Sequence, residues 1–274
     1  MSTLPKSLVP VLFLLVACGG AQPQAASNAP AASSLPVSSL PVSSPLSVSD
    51  RFEAIAGDPD RSAEDRALDA GRKPAELLRF LGITSGMRVA ELGAGGGYTA
   101  ELFARAVGPT GRVFGQNSKF LLEKFAEAPW SERLKKPVMK NVERVDREFD
   151  EPLPESGANL DIVLINLFYH DTVWLKTDRA KMNRSIFRSL KSGGVYVVAD
   201  HSAKQGTGVA DAQTLHRIEA SVVKSEVLAA GFVLAEEGTF LQNASDARDW
   251  SASPRTAAER RGQSDRFVFK FKKP

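Results

Sequence analysis

Met87-Arg-Val-Ala-Glu91-Leu-Gly93-Ala-Gly95-Gly96-Gly97-Tyr98 is the stretch on which the reading of this chain turns. A short β-type run, Arg88 to Leu92, feeds a glycine-rich turn, and an amphipathic helix is predicted from about Thr99 to Val107. Glycine lets the backbone swing sharply off a strand and come close to a ligand, while the unpaired N–H groups at a helix start point at whatever sits there. An anion or a ribose suits that place.

The spacing separates two ligand classes. A dinucleotide fingerprint, Gly-x-Gly-x-x-Gly, that began at Gly93 and Gly95 would need glycine at 98, where the chain has Tyr98. The pattern present is Glu-x-Gly-x-Gly-x-Gly, formed by Glu91, Gly93, Gly95 and Gly97, with an acid at the strand's end where it can neutralise an ammonium group. This resembles motif I of class I S-adenosylmethionine-dependent methyltransferases. The resemblance implies S-adenosyl-L-methionine as cofactor, bound around Glu91, Gly93, Gly95 and Gly97.

Outward from the motif, the elements keep the order of that family. Upstream, Asp58 to Arg66 reads as a capped helix start, and Pro74 to Leu81 as a helix with proline in its first turn. Arg66, Arg72 and Lys73 fit a solvated helix face better than a substrate contact. Downstream, Arg112 to Gln116 is the second strand. In the family the residue ending it is usually acidic, because a carboxylate accepts two hydrogen bonds from the ribose hydroxyls. This chain departs from that pattern with Gln116-Asn117, and the amide of Asn117 becomes the ribose candidate. Helical pieces follow at 119–127 and 131–134, then a third strand at 141–145. Glu148 and Phe149 match the positions that face the adenine edge in the family. The fourth strand, Leu160 to Ile165, is almost wholly apolar, as a central parallel strand must be. It ends in Asn166-Leu-Phe168-Tyr169-His170-Asp171, where the resemblance adds Asn166 to the cofactor contacts.

Helix 179–190 leads through Lys191-Ser-Gly193-Gly194 into a fifth strand, 195–199, and on to Asp200-His201-Ser202. His216 to Glu219 heads a helix to Ala230, a sixth strand spans 232–236, a polar excursion fills 239–265, and 266–271 alternates as a last strand. A sequential βα repeat closed by a β-hairpin predicts an α/β fold. It is a Rossmann-like, doubly wound sandwich with a mostly parallel seven-stranded sheet and an antiparallel last strand. With the shorter phrases His216-Arg217-Ile218 and Asp265-Arg266-Phe267, the chain is similar to a group of predicted exported bacterial methyltransferases.

The N-terminal part has a different composition. Lys6 is the only charge before Asp50, and an apolar run from Leu8 to Val16 ends in Leu15-Val16-Ala17-Cys18. That is the layout of a signal peptide over 1–18, and it resembles a bacterial lipoprotein box with Cys18 as the lipidated residue. A run this short does not make a permanent span of about 20 residues. Cys18 is the only cysteine, which excludes an intrachain disulfide, a cysteine-rich zinc site and a catalytic thiol elsewhere. Residues 19–49 are uncharged and rich in Ala, Ser and Pro, a composition that makes a disordered tether. The methyltransferase-like domain then occupies 50–274. Gly19 after the cysteine favours the outer membrane, with the domain facing the periplasm. A net charge of +3 with interspersed signs gives no basic field for nucleic acid.

The chain has three histidines, His170, His201 and His216, all at or beyond the carboxyl ends of strands four and five, where open α/β sheets bind ligands. An imidazole there can take a proton from an attacking hydroxyl or amine, with Asp200 or Asp171 holding its tautomer. His170, His201, Asp200 and Tyr169 are the catalytic candidates. His170, Asp171, Asp200, His201 and His216 would suffice as ligands for one ion, but no His-x-x-x-His spacing supports a metal and none is assigned. Two functions stay open. One is methyl transfer to a small molecule or an envelope component; the other is a lipoprotein that binds ligand without catalysis.

Overall fold

The computed structural model describes residues 48–274. The leader and the tether up to residue 47, Cys18 among them, lie outside the described residues; residues 48 and 49, read as tether, instead open the first helix. In chain order the elements are α1 (Val48–Ala56), α2 (Ala63–Arg72), α3 (Pro74–Leu81), β1 (Arg88–Leu92), α4 (Tyr98–Val107) and β2 (Arg112–Asn117). Next come α5 (Lys119–Leu121), a wide helical turn (Leu122–Ala126), α6 (Glu127–Leu134), β3 (Val142–Asp146) and β4 (Leu160–Asn166). The rest are α7 (Asp171–Trp174), α8 (Arg179–Ser189), β5 (Leu190–His201), α9 (Ala220–Ala229), β6 (Val233–Gly238) and β7 (Arg266–Lys272). None of the described helices is long and apolar enough to cross a membrane.

Period-two alternation divides the core between the two faces of the sheet. Val89, Ile162 and Leu164 pack towards α3 and α4, with Leu77, Leu78 and Phe103. Ala90, Leu92, Val163 and Ile165 point the other way, towards Met182 and Ile186 of α8 and Val223 and Val227 of α9. β1 and β4 are therefore apolar at nearly every position, because both of their faces are covered. At about 25 cal/mol per Å² of apolar surface, a fully buried Leu or Ile contributes roughly 1.5–3 kcal/mol, and these central strands concentrate such residues.

The strand order is β3-β2-β1-β4-β5-β7-β6, with β7 antiparallel to both β5 and β6 and the other pairings parallel. This is the sheet expected from the sequence. The order reverses between β1 and β4, so the loops leaving their carboxyl ends diverge and open a crevice between them. Glycine has two separate jobs in the β1 loop. Gly97 has φ +84°, and a Cβ there would come within 2.3 Å of the Trp130 ring, so packing alone demands glycine. Gly95 has φ +55° and, among the described residues, nothing within 4 Å of such a Cβ: that side of the loop is open.

Several boundaries differ from expectation. The helical pieces predicted at 119–127 and 131–134 are one continuous run over 119–134, with the wide turn at 122–126 joining α5 to α6. β5 begins at Leu190, taking in residues expected as a turn, since Leu190 pairs with Leu160 before the register shifts. The helix expected to start near His216 starts at Ala220 instead. Ile218 is held in a bridge to Ser202, and Arg217 turns inwards.

Arg217 also organises the excursion 239–265. Its guanidinium donates to Asp246 Oδ2 (2.8 Å), Ser202 O (3.0 Å) and Trp250 O (3.0 Å), and the side chains of Arg217 and Asp246 are both 0% exposed. Asp246 accepts from Asp265 N (2.6 Å) and Trp250 Nε1 (2.7 Å) as well. Loss of one partner from such a pair strands a buried charge, at a cost of about 3–5 kcal/mol. A stretch that reads as polar loop is thus tied down over the carboxyl edge of the sheet.

Candidate functional site

The crevice is a cavity of about 700 Å³. Its floor is the β1 loop, with Glu91, Gly93 and Gly95; one wall is the β4 loop, with Asn166, Phe168, His170 and Asp171. Phe120 and Phe125, on the helical run after β2, and Trp174 of α7 supply aromatic surface, while Ala252 to Arg255 come from the excursion. Arg255 lies over the Phe125 ring at 4.6 Å, joining excursion to wall. All three histidines line this same cavity.

At the glycine end, Glu91 is buried and its Oε2 has no hydrogen-bond partner among the described residues. Burial pushes its carboxyl up to about 8, against the opposing pull of Thr99 and Arg72. A buried carboxylate oxygen left unpaired on the wall of a cavity is a receptor for a cationic group. Arg72, read from sequence as solvated, instead lines the cavity and lies 4.4 Å over the Tyr98 ring. Tyr98 donates its hydroxyl proton to Asp69 Oδ1 (2.6 Å).

The amides at the end of β2 hold the loop. Gly93 N donates to Gln116 Oε1 (3.0 Å), and Gln116 Nε2 donates to Arg147 O (2.6 Å). Gly95 N donates to Asn117 Oδ1 (2.8 Å), and Asn117 Nδ2 returns a bond to Gly95 O (3.1 Å). Asn117 therefore shapes the glycine turn and stands behind it, outside the cavity lining. Gly97 also lies outside the lining, beneath the loop. Glu148 is exposed and accepts from Lys119 N (3.2 Å). Phe149 is core, stacked on Phe168 with centroids 5.1 Å apart, so that Phe168 is the member of that pair facing the cavity. Of the residues assigned to the cofactor from sequence, Glu91, Gly93, Gly95 and Asn166 come together in the lining.

At the histidine end, Asp200 accepts His170 Nδ1 (2.7 Å), His170 N (2.7 Å) and His201 N (2.8 Å) and is itself 0% exposed. It positions two histidines without facing the cavity. His170 Nε2 then lies 3.2 Å from Asp171 Oδ1 and 3.2 Å from His216 Nδ1, and His216 Nδ1 lies 3.3 Å from Asp171 Oδ1. Burial opposes a charge on His170, but Asp200 and Asp171 outweigh it and push the imidazole up to about 10. His201 is the reverse case. Burial, helped by the neighbouring His170, Arg266 and Arg217, holds it well below the ordinary histidine value. Its Nδ1 is fixed by Ser264 Oγ at 2.7 Å. Tyr169 points away from the cavity, donating to Glu226 Oε2 (2.7 Å) and accepting from Asn183 Nδ2 (2.9 Å) between α8 and α9.

Backbone conformation supports the convergence. Leu167 and His216 have φ of +57° and +52°, left-handed values that cost a non-glycine residue about 1–3 kcal/mol. Leu167 follows the last residue of β4 and its N–H donates to Ala199 O (2.7 Å), which turns the loop back across β5. No local sequence signal marks either position.

Residues 83–248 match the Methyltransferase domain family. The chain belongs to that family. A SAM-dependent methyltransferase from Aquifex aeolicus has the same fold, with a TM-score of 0.52 at 16% identity over 81% of this chain and 97% of that one. The cyclase SpnF is also similar, with a TM-score of 0.54 at 16% identity over 83% of this chain and 93% of that one. At such identities the likeness concerns the fold, and the reaction must be argued from the site.

Proposed function

We propose that this protein is an S-adenosylmethionine-dependent methyltransferase acting on a small-molecule or envelope acceptor, and that it is held at the cell envelope by a lipid on Cys18. One observation carries the catalytic part: the glycine loop, with Glu91 Oε2 left without a partner among the described residues, and the histidine cluster open into a single cavity. When bound, the cofactor supplies an activated methyl group on a sulfonium. Glu91 fits its ammonium, the open face of Gly95 admits close backbone approach, and Asn166 and Phe168 line the same end. The protein's own work at the other end is to orient an acceptor against the aromatic walls and, for a hydroxyl or ammonium, to remove a proton. Orientation supplies most of the rate in such a reaction, and the base a smaller share.

Titration calorimetry of the purified protein with S-adenosylmethionine and its demethylated product tests this. One binding event per chain is expected. Gly95→Val should abolish it in a folded protein, because the branched side chain would occupy the open side of the loop at a positive φ. No heat at millimolar ligand, or unchanged binding by the folded variant, would refute the assignment.

The alternative, binding without transfer, draws on Gln116 and Asn117, whose amides are spent on the loop instead of offering the two acceptors of a carboxylate to a ribose. Radiolabelled methyl transfer across an acceptor screen separates the two readings. For the envelope location, the support is the leader sequence and the uncharged tether that follows it. Mass spectrometry of membrane fractions should find a diacylglyceryl peptide beginning at Cys18; an intact soluble Met1 peptide would defeat that part of the proposal.

A further inference from the structure

We infer that His170 Nε2, Asp171 Oδ1 and His216 Nδ1 are the three protein ligands of a divalent metal site of the zinc type, open on the cavity side. The three atoms come from the β4 loop and from a turn 46 residues further on. Their separations of 3.2, 3.2 and 3.3 Å form a nearly equilateral triangle. Zinc–nitrogen and zinc–oxygen bonds of about 2.0 Å at tetrahedral angles place ligand atoms about 3.3 Å apart. The triangle is thus one face of a zinc tetrahedron, and its fourth corner is left for water or a ligand oxygen.

Hydrogen bonding accounts for this triangle less well. Asp200 accepts from His170 Nδ1, so that nitrogen keeps its proton and Nε2 is the one directed at the triangle, free to bind a cation once the cation displaces its proton. Two imidazole nitrogens and one carboxylate oxygen then meet along three edges. If each imidazole donates to Asp171, the two nitrogens are left facing each other as like donors. A cation at the centre satisfies all three at once.

The surroundings are those of a metal centre. An imidazole ligand whose other nitrogen donates to a buried carboxylate is a recurrent arrangement that fixes the ring and raises its basicity. Here Asp200 plays that part. Trp174 Nε1 donates to Asp171 Oδ1 (2.8 Å) and orients the third ligand. Among the described residues neither Asp171, 9% exposed, nor Asp200, 0% exposed, is bonded to a lysine or arginine, and their ion-pair partners are imidazoles. Two imidazoles and one carboxylate suit zinc and other first-row ions and disfavour magnesium and calcium, which take oxygen ligands.

Three protein ligands and one open position are the arrangement of catalytic zinc, where the ion acts as a Lewis acid on a bound oxygen. On the methyltransferase reading of the cavity, the acceptor is then a molecule that presents an oxygen, such as a phenol, enol or carboxylate. The metal site itself does not depend on that reading.

The test uses the metal alone, without cofactor or acceptor. Tag-free full-length protein, stripped with a chelator, is titrated calorimetrically with Zn²⁺, Mn²⁺ and Mg²⁺, and the Co²⁺-loaded form is examined by absorption spectroscopy. Expected are one Zn²⁺ per chain, at least 100-fold weaker Mg²⁺ binding, and the intense visible bands of four-coordinate cobalt. His216→Ala, at a half-buried turn position, should weaken Zn²⁺ by roughly 100-fold or more while the far-ultraviolet spectrum stays unchanged, and Asp200→Asn by about 10–100-fold. Absence of stoichiometric Zn²⁺ binding to the wild type, or full-strength binding by folded His216→Ala, would overturn the inference. Either result leaves S-adenosylmethionine binding to be judged on its own titration, and a failed cofactor titration does not touch the metal result.

Discussion

Glu91→Gln is expected to weaken S-adenosylmethionine binding by roughly 100-fold and, in the ligand-free protein, to remove a pH-dependent loss of stability. The first effect follows from replacing a buried carboxylate, whose Oε2 awaits a partner, by an amide that cannot balance an ammonium. A hydrogen bond to a charged group contributes about 1.5–3 kcal/mol, and each 1.4 kcal/mol is about tenfold in affinity. The second effect has a definite sign. In the unfolded chain Glu91 loses its proton near 4.5, whereas in the folded protein burial holds it to about 8. Between those values the folded state binds the extra proton, so wild-type stability falls as pH rises, by at most about 5 kcal/mol. Glutamine has no such proton to lose.

Denaturant unfolding of both proteins at pH 5.5 and pH 8 measures this. The stability difference, variant minus wild type, should grow with pH by a few kcal/mol, and a difference that stays constant would place Glu91 in an ordinary polar environment. Wild-type binding near pH 7 should also release close to one proton, seen as a heat that changes with the ionisation enthalpy of the buffer. Glu91→Gln should show no such dependence.

The second large effect concerns the base. The two cavity histidines leaving β4 and β5 are not equivalent. His170 is clasped by Asp200 and Asp171 and cannot take up a further proton. His201 is kept uncharged, lines the cavity and has its Nδ1 fixed by Ser264. His201→Ala is therefore expected to lower turnover by roughly 100-fold, the size of losing a general base, with cofactor affinity within about threefold of wild type. Once a screen has found an acceptor, transfer of a radiolabelled methyl group reads out kcat, and calorimetry reads out the cofactor. A folded His201→Ala protein that transfers methyl at the wild-type rate would make this residue part of the packing, as would a parallel fall in cofactor binding.

Much of this protein was legible in its sequence because the signals are local. The apolar runs of β1 and β4 report burial on both faces, and the alternation of Arg266 to Phe271 reports the last strand, since side chains alternate across a sheet whatever surrounds it. Glu91, Gly93 and Gly95 announce their place because a sharp strand-to-helix turn and a close backbone approach have few other solutions. From these alone the seven-stranded sheet, its antiparallel closing strand and the ligand-binding edge follow.

Only the tertiary structure decided how the side chains at that edge are used. Asn117 has the spacing of a ribose ligand, but β2 and the β1 loop pack so closely that its amide is spent on both polar groups of Gly95. Tyr169 adjoins His170 in sequence yet faces the opposite layer, because successive residues leaving a strand turn to opposite sides. Arg72 reads as solvated and stacks in the cavity. His170, Asp171 and His216 meet beside left-handed backbone at Leu167 and His216, where Leu167 N donates to Ala199 O and the neighbouring Arg217 donates to Ser202 and Asp246. Local propensity sets where strands and glycine turns lie; the pairing of polar groups far apart in the chain is an outcome of packing, and carries no periodicity by which a sequence could announce it.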